Sequence, residues 1–402
     1  MTLAKARAFV YMTALSNRIQ QLRPSPTFAL DAKVKQLQAA GDPVVNLGLG
    51  EPDFPTPQHI CAAATQAMQE GFTHYTQVAG VPELRQAISE KFRKENNIAY
   101  QSSEIVVGVG SKQLLYNAFL ALCQNGDEVI VPTPTWSTYI EQIKLAEVTP
   151  VVVTLEAPFK LKASDIEKAL TDKTKIILLN SPGNPTGAMI ELEGLEKIAE
   201  LATARNIFVI SDEIYEKMTY GKPYVSIASL NDEIKKLTIT INGFSKSYAM
   251  TGWRIGYAGG PQEIIEAMIS LQGQTTSCTS SIAQKAAIAA LAGSQEPIQR
   301  MLDEFAKRRA FVISALKTIP GLDVVEPEGA FYVFVGIQKL LNEKYPTSAS
   351  WCQALLEKEK VSVVPSEAFE YSGYFRLSFA TSMEQLEEGI KKIKRFVEVT
   401  KP

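Results

Sequence analysis

The sequence is poor in the residues that metal sites and disulfide frameworks need. Its 402 residues include only four cysteines and two histidines. Cys61, Cys123, Cys278 and Cys352 are scattered and share no metal-ligand spacing, so we expect free thiols in a reducing compartment. Because there are only two histidines, the sequence does not favour a Ser-His-Asp triad or a multi-histidine zinc site. We expect no metal.

Neither charge sign is in excess, and no apolar run is long. Lysine and arginine number 41 against 43 aspartates and glutamates, which gives a formal net charge of −2. A nucleic-acid-binding protein usually has a basic excess, and a membrane span needs about 20 consecutive apolar residues, so neither partner is expected. The rest of the composition, 46% hydrophobic and 21% charged, is ordinary for a globular enzyme of about two or three domains.

Acidic residues are absent before Asp31, whereas several lysines and arginines occur there. That bias is typical of a transit peptide, but the segment lacks the apolar core of a secretory signal. Met12 could equally be an internal start. We interpret residues 1–24 as a mobile arm and expect a cytoplasmic protein.

Short apolar segments alternate with helix-forming ones between residues 101 and 260. Their β-branched residues are typical of a sheet covered on both faces. The pattern predicts an α/β fold with a mostly parallel, doubly wound, seven-stranded sheet, in which helices such as Leu192–Arg205 form the crossovers. The candidate strands are 105–108, 129–132, 150–154, 176–180, 207–212, 237–241 and 255–258.

The remaining segments predict a second, smaller domain. Residues 28–40 are predicted as a helix and 44–47 as a short strand. Further helices are predicted from Pro261, over 282–291 and over 296–319. From Gly321 the predicted order is strand, helix, strand, strand, helix, with a capping box at Ser382. We assign 25–58 and 297–402 to this α+β domain and 59–296 to the large domain.

The strongest chemical signal is in residues 242–257, NGFSKSYAMTGWRIGY. Lys246 follows a buried strand, which is a poor place for packing. It suits carbonyl chemistry, because a desolvated lysine can lose its proton and attack a carbonyl carbon. Arg254 follows with a planar guanidinium suited to a phosphate.

Other unusual residues follow strand ends, where open α/β sheets bind ligands. Gly110, Ser111 and Lys112 open a helix after the first candidate strand and predict a phosphate cradle. The rival is a dinucleotide fingerprint, but Gly108-x-Gly110 lacks the third glycine. Trp136 follows the second strand and offers a ring for stacking on a heteroaromatic cofactor, with a core tryptophan as the alternative.

Asp212 ends the strand 207–212, where a buried carboxylate is costly unless it is paired. A protonated pyridine nitrogen would pair it, and a helix N-cap is the alternative. Tyr215 lies one helical turn beyond Asp212, and its hydroxyl can hydrogen-bond an oxygen atom attached to the ring of such a pyridine ligand. Asn184 and Gly50 lie in glycine-containing loops after strands, where the alternative is a plain turn.

Ser245-Lys246 followed by Gly252-Trp-Arg254-Ile-Gly256 resembles the pyridoxal-phosphate lysine signature of the aspartate aminotransferase family. These are class I aminotransferases of fold type I. The resemblance covers nearly the whole chain after the arm, and the motifs occur in family order. It implies that Lys246 binds pyridoxal 5'-phosphate and that an amino group passes between an amino acid and a 2-oxo acid in a ping-pong reaction.

The resemblance also implies roles for single residues. Asn184 donates to the ring hydroxyl oxygen of the cofactor, and Arg376 clamps the substrate α-carboxylate. Tyr75 reaches the phosphate from the other subunit, which implies a homodimer with shared active sites. The implied catalytic residues are Lys246, Asp212 and Tyr215. The implied cofactor-binding residues are Tyr75, Gly110, Ser111, Lys112, Trp136, Asn184, Asp212, Tyr215, Ser245, Lys246 and Arg254. The implied substrate-binding residues are Gly50, Lys112, Trp136, Asn184 and Arg376.

Two positions depart from the family pattern. Gly243 stands where many members carry a serine for the phosphate, which leaves more of that contact to Ser245. Ser366 replaces a glycine that is common there, which leaves the form of the local turn open.

The implied substrates are dicarboxylic: aspartate or glutamate with oxaloacetate or 2-oxoglutarate. Many relatives bind the second carboxylate with an arginine from a segment matching 270–280, which here has no arginine or lysine. In a bacterial subgroup, a lysine at the place of Lys112 has this role, and a solvated helix-start lysine is the alternative.

Other functions remain open. The chain could act on aromatic or small neutral amino acids or prephenate, or catalyse β-elimination or cyclisation with the same cofactor. A pyridoxal-phosphate-binding regulator without turnover is a further alternative. Such regulators usually carry a nucleic-acid-binding domain, but none is expected before Pro24, and the charge balance gives it no support.

Overall fold

The computed structural model describes residues 15–24 and 26–400, in which the chain forms thirteen strands and fourteen α-helices. The strands are β1 (Val45–Asn46), β2 (Ile105–Gly108), β3 (Glu128–Thr133), β4 (Thr149–Thr154), β5 (Thr174–Asn180), β6 (Phe208–Asp212), β7 (Thr238–Gly243), β8 (Gly256–Gly259), β9 (Asp323–Val325), β10 (Tyr332–Gly336), β11 (Val361–Ser362), β12 (Val364–Pro365) and β13 (Tyr374–Ser378). The helices are α1 (Asn17–Gln20), α2 (Pro26–Ala39), α3 (Gln58–Gln69), α4 (Pro82–Glu95), α5 (Ser111–Leu122), α6 (Thr138–Leu145), α7 (Ala163–Glu167), α8 (Leu192–Arg205), α9 (Asp232–Lys235), α10 (Gln262–Thr275), α11 (Ser281–Ala292), α12 (Glu296–Lys317), α13 (Ser348–Glu359) and α14 (Met383–Thr400).

The largest sheet has seven strands in the order β2-β8-β7-β6-β5-β3-β4. The pairs among β3, β4, β5, β6 and β7 are parallel, and β8 runs antiparallel to both of its neighbours. The predicted α/β fold with a mostly parallel seven-stranded sheet is therefore confirmed. Each candidate strand matches an observed one to within two residues at either end.

Helices cover both faces of this sheet, which explains why its strands are apolar at successive positions. Val131 packs in one cluster with residues of α5 and α6, such as Phe119 and Ile143. Its neighbour Ile130 points to the other face and packs with residues of α8, such as Ile198. All of these side chains have 0% exposure.

The C-terminal part contains a four-stranded antiparallel sheet in the order β12-β13-β10-β9, and β1 pairs in parallel with β11. The predicted order after Gly321 is wrong, because two strands precede α13 and three follow it. Three strands were predicted and five are present, of which β9, β11 and β12 are only two or three residues long. Segments so short show no alternation in the sequence.

The division into two domains stays a prediction, with residues 25–58 and 297–402 in the smaller domain and residues 59–296 in the large one. Residues 1–14 of the predicted arm lie outside the described residues. The described part of the arm includes α1 and forms ion pairs from Arg18 to Glu147 and from Arg23 to Glu141 and Glu370. Within the described part of the chain, no helix is long and apolar enough to cross a membrane.

The carboxyl ends of three neighbouring strands bring the candidate residues together. Asn180 at the end of β5 pairs in register with Asp212 at the end of β6, which pairs with Ile241 of β7. The loop after β7 carries Lys246, so the chemistry is concentrated at this edge of the sheet.

Candidate active site

Asp212 is a buried carboxylate with 2% exposure. The hydroxyl of Tyr139 donates to its Oδ2 at 2.7 Å, and the amide of Ile214 donates to Oδ1 at 3.2 Å. Burial raises the pKa of Asp212 to about 6, although these hydrogen bonds and the charge of Lys246 work to lower it. Its hydrogen-bond partners are uncharged, so a cation brought beside it would stabilise its charged form.

The helix N-cap alternative for Asp212 is wrong, because residues 214–217 form a turn and not a helix. The prediction that Tyr215 lies one helical turn beyond Asp212 is wrong for the same reason, since Tyr215 lies within this turn. The Tyr215 hydroxyl lies 2.9 Å from the hydroxyl of Tyr332, and both tyrosines are buried. The turn therefore holds Asp212 and the Tyr215 hydroxyl in a largely dry site.

Two tyrosines at the site are not found by reasoning from the sequence. Tyr139 lies in α6, three residues after Trp136, and its closeness in the sequence to a candidate residue at a strand exit is a signal that could have indicated it. Tyr332 occupies an ordinary position of the buried strand β10, where aromatic residues are common in any core. No local pattern separates Tyr332 from a packing residue.

Lys246 lies in the loop after β7 and directly follows Ser245, whose side chain is partly exposed. Its Nζ donates a hydrogen bond to the carbonyl oxygen of Gly50. Burial lowers the pKa of the Lys246 amine to about 8, and the carboxylate of Glu51 opposes this shift. A larger fraction of this amine than of an ordinary lysine is therefore neutral and nucleophilic near neutral pH.

A phosphate cradle forms where α5 begins. Gly110 precedes the helix with φ +78°, and a Cβ atom there would lie 2.9 Å from Nη2 of Arg254. The Arg254 guanidinium therefore lies against the helix N-terminus, and its Nη1 donates to the carbonyl of Thr251 at 3.0 Å. The backbone N–H groups at the start of α5 and a permanent cation lie together, which is an arrangement suited to an anion.

The two departures from the family pattern have structural explanations. A Cβ atom on Gly243 would lie 2.8 Å from Oγ of Ser111 and 3.2 Å from Cα of Gly256, so a serine there would displace the Ser111 hydroxyl from its hydrogen bond to the carbonyl of Asn242 and crowd the start of β8. Ser366 is fully buried, and its Oγ accepts a hydrogen bond from the amide of Tyr374 at 3.1 Å. The serine side chain therefore closes the local turn.

Arg376 is a buried guanidinium with 3% exposure and uncharged hydrogen-bond partners. Nη1 donates to Oδ1 of Asn184 at 2.9 Å, and Nη2 donates to the carbonyl of Gly48 at 2.8 Å. The guanidinium lies over the ring of Tyr332, 4.2 Å from its centroid, and burial lowers its pKa. Its Nε has no hydrogen-bond partner among the described residues. An anionic ligand would offset the cost of burying this charge.

Gly50 lies beside Arg376, since a Cβ atom on it would be 3.9 Å from Nη2. The bond between Arg376 and Asn184 uses the oxygen of the asparagine amide. Its nitrogen is then the donor that a ring oxygen of a cofactor would need.

Lys112 and Trp136 pair at the same edge of the sheet. Nζ of Lys112 lies over the Trp136 ring, 4.6 Å from its centroid. Trp136 is partly exposed and also packs against the core cluster that covers one face of the sheet, so its role in stacking on a cofactor stays a prediction. Burial lowers the pKa of Lys112, and the charge of Arg254 lowers it further. A second cation therefore lies near the phosphate cradle.

Tyr75 is not brought to this cluster. Its side chain is 92% exposed, although the next residue is anchored by hydrogen bonds from its amide to Sγ of Cys278 at 3.4 Å and from Gln284 to its hydroxyl at 2.9 Å. The predicted role of Tyr75 in a neighbouring subunit's site stays a prediction.

The sequence model of the family described as aminotransferase class I and II matches residues 42–393. The chain belongs to this family. The aspartate aminotransferase of Bacillus subtilis (strain 168) is 48% identical over 388 residues, which cover 96% of this chain and 99% of the relative. A protein from Aquifex aeolicus (strain VF5), named "Probable aspartate/prephenate aminotransferase", is 47% identical over 96% of this chain and 98% of its own length. The solved structure of the aspartate aminotransferase from Thermus thermophilus with maleate has a TM-score of 0.92 and 39% identity, covering 96% of this chain and 100% of that chain.

The predicted fold type, the aminotransferase activity and the cofactor, pyridoxal 5'-phosphate, are thereby confirmed. The residues of this aminotransferase fit that cofactor. The buried Asp212 lacks a charged hydrogen-bond partner, as a group that pairs with a pyridinium nitrogen would. The cradle at Gly110 and Arg254 suits a phosphate, and the Lys246 amine suits an aldehyde.

Proposed function

We propose that this aminotransferase exchanges an amino group between aspartate and 2-oxoglutarate, forming oxaloacetate and glutamate. The observation that carries the proposal is the presence of two separate cations at the candidate site. Lys112 lies at the start of α5, and Arg376 extends from β13 of the four-stranded sheet to Asn184. A dicarboxylic substrate needs two such partners, whereas an aromatic or small neutral amino acid needs only one. The Bacillus subtilis and Thermus thermophilus relatives are named aspartate aminotransferases, and maleate, present in the latter structure, is a dicarboxylate.

The proposed cofactor site uses the groups at the strand ends. Lys246 attaches the cofactor covalently, and Asp212 pairs with the ring nitrogen. Tyr215 and Asn184 donate to the ring oxygen, and the ring of Trp136 stacks on the cofactor. The amides of Gly110, Ser111 and Lys112, with Ser245 and Arg254, hold the phosphate. Bound pyridoxal 5'-phosphate supplies an aldehyde that captures amino groups and a ring that accepts electrons.

The protein's own residues bind the substrate and move its proton. Arg376 binds the α-carboxylate through its guanidinium and, with Gly50 and Asn184, fixes the substrate's orientation. Lys246 Nζ accepts the proton from the substrate α-carbon and returns it later. A pKa of about 8 suits both tasks, because proton transfer is most efficient when the pKa is close to the working pH.

The assignment of Lys112 to the distal carboxylate is tested with Lys112→Met, which removes the charge and keeps an unbranched chain against Trp136. We expect kcat/KM for aspartate to fall by an amount equivalent to roughly 2–5 kcal/mol, because a buried carboxylate is left without its cation. The value for phenylalanine should be preserved. Assays at saturating pyridoxal 5'-phosphate exclude an effect through the phosphate. An equal loss for both substrates would limit Lys112 to the cofactor.

A second candidate substrate is prephenate, which is favoured by the name of the Aquifex aeolicus relative. Prephenate also carries two carboxylates, so the same two cations could bind it. Steady-state rates with glutamate as donor and a panel of 2-oxo acids separate the candidates. Wild-type preference for an aromatic or small neutral amino acid would remove the aspartate assignment and leave transamination intact.

We also propose a homodimer with shared active sites, in which Tyr75 contributes to the phosphate site of the neighbouring subunit. Its nearly complete exposure is unusual for an aromatic side chain and supports a role at an interface. A cytoplasmic location remains our expectation, which cell fractionation would test.

A further inference from the structure

A buried ionic cluster includes a residue of the turn after β6, which carries Tyr215 and lies close to Asp212 in the sequence. Glu216 follows Tyr215, and its Oε1 accepts a hydrogen bond from Nζ of Lys91. Its Oε2 accepts from Nδ2 of Asn96 at 2.5 Å. Lys91 also donates to Oδ1 of Asn96 at 2.7 Å, so the three side chains form a closed ring of hydrogen bonds.

This cluster connects two elements that are far apart in the sequence. Lys91 belongs to the last turns of α4, and Asn96 is the residue that ends this helix. Glu216 lies in the turn after β6, where its amide donates to the carbonyl of Glu213 at 2.9 Å. The ring therefore fastens the turn after β6 to the end of α4.

Water has little access to these groups. Lys91, Asn96 and Glu216 are 5%, 7% and 7% exposed. Burial by itself would raise the pKa of Glu216, but the charge and hydrogen bond of Lys91 and the amide of Asn96 lower it overall. The Glu216 carboxylate is therefore ionised at neutral pH, and it pairs with the Lys91 amine.

Stability alone is a weak reason for such a cluster. Two charges taken out of water lose hydration energy that their attraction only partly restores, and well-packed apolar residues are often as stable in their place. A closed hydrogen-bonded ring differs from an apolar contact because it fixes distances and directions. That property matters where a nearby group must be held in one position.

We propose that Lys91, Asn96 and Glu216 are positioning residues that hold the turn after β6, which carries Tyr215 and directly follows Asp212 and Glu213, in its working geometry. The inference rests on the roles proposed above for Asp212 and Tyr215. Glu216 is adjacent to Tyr215 and four residues beyond Asp212, so a shift of its side chain is transmitted through a short backbone segment. None of the three positioning residues needs to touch the cofactor or the substrate.

The test is Lys91→Met in the full-length holoenzyme. Three properties are measured: kcat and KM for aspartate, the pH midpoint at which the absorbance of the bound cofactor changes, and thermal stability. We expect kcat to fall about tenfold or more, since a displacement on the order of 1 Å at a catalytic group can cost about a hundredfold. KM should change little, and the absorbance midpoint should move.

The matched control is Lys94→Met on the same helix. Lys94 pairs with Glu90 at the surface, where the two side chains are 62% and 47% exposed. Loss of this pair should leave kcat, KM and the absorbance midpoint unchanged. A Lys91→Met enzyme that is merely less stable, with wild-type kcat and midpoint, would overturn the inference.

Lys91→Met leaves the Glu216 carboxylate buried without a cation, which can prevent folding. A second variant covers that case. Lys91→Met/Glu216→Gln removes both charges, and the new glutamine amide can pair with the amide of Asn96. We expect this protein to fold with reduced kcat and a displaced midpoint, because the link from Lys91 to the turn is lost. Wild-type values for both would overturn the inference.

Asp212→Asn separates this inference from the proposed function. A moved midpoint in Asp212→Asn together with a wild-type kcat and midpoint in Lys91→Met would reject only the positioning role. An unchanged midpoint and kcat in Asp212→Asn would reject the proposed role of Asp212 and the inference that rests on it.

Discussion

Three ionisable side chains at the candidate site have shifted pKa values, and burial is the first cause of each shift. Burial lowers the pKa of Lys246 to about 8, raises that of Asp212 to about 6, and lowers that of Arg376. Each shift disfavours the charged form, and a bound group of opposite charge would reverse it for Asp212 and Arg376. These residues therefore destabilise the empty site and favour a ligand.

The Lys246 amine gives a pH prediction at the scale of one residue. The neutral amine is the nucleophile, so in the apoenzyme the rate of covalent attachment should rise with pH and reach half its maximum near pH 8. An ordinary lysine would have its midpoint more than two units higher, at about 10.4. The measurement is the rate at which borohydride reduction fixes the cofactor to the protein at each pH.

Peptide mapping of the reduced protein provides the control for that rate. The label should be found on the peptide that contains Lys246, and Lys246→Ala should take up none at this site. Label on a different lysine, or a midpoint near the ordinary value, would contradict the role and environment assigned to Lys246.

The start of α5 gives a prediction at the scale of an element. In Gly110→Ala, the new Cβ atom would displace the Arg254 guanidinium from the helix N-terminus. We expect the dissociation constant for pyridoxal 5'-phosphate to rise about tenfold or more, equivalent to at least about 1.4 kcal/mol. At saturating cofactor, kcat should be largely preserved. The measurement is a fluorescence titration of the apoenzyme.

Gly126→Ala is the matched control for the backbone. Gly126 also has a positive φ, +99°, but a Cβ atom there would meet nothing within 4 Å. Both alanines strain the backbone, and only the one at position 110 reaches Arg254. Equal cofactor affinities in the two variants would show that Gly110 is needed for its backbone conformation and not for the cradle.

The strands that are buried on both faces along their length could be predicted from the sequence. Strands covered on both faces are continuous apolar runs, so β2 and β5 could be recognised from composition alone. The end of another such run, β6, then indicated Asp212. The two-residue strands β11 and β12 could not be predicted, because non-local pairing decides them. Contacts between distant segments, such as Tyr332 with Tyr215 and Lys91 with Glu216, leave no local pattern either.

Subunit association gives a prediction at the scale of the whole molecule. A hybrid dimer is prepared from one chain with Tyr75→Phe and one with Lys246→Ala. If Tyr75 serves the neighbouring site, one site of the hybrid contains both wild-type residues, and the other contains both substitutions. We expect the active half of the hybrid to bind the cofactor with wild-type affinity, unlike the Tyr75→Phe homodimer.

The opposite result has a clear meaning. If Tyr75 served its own chain, the site with an intact Lys246 would keep the defect of Tyr75→Phe. A monomer that is fully active at assay concentration would also contradict shared sites.

The most direct test of the central claim is a half-reaction of the purified holoenzyme with aspartate and no 2-oxo acid. We expect the absorbance of the bound cofactor to change, with release of about one oxaloacetate per active site in the limit of one turnover. Addition of 2-oxoglutarate should restore the spectrum and yield an equal amount of glutamate. Absence of oxaloacetate, or a faster reaction with phenylalanine or alanine than with aspartate, would contradict the account.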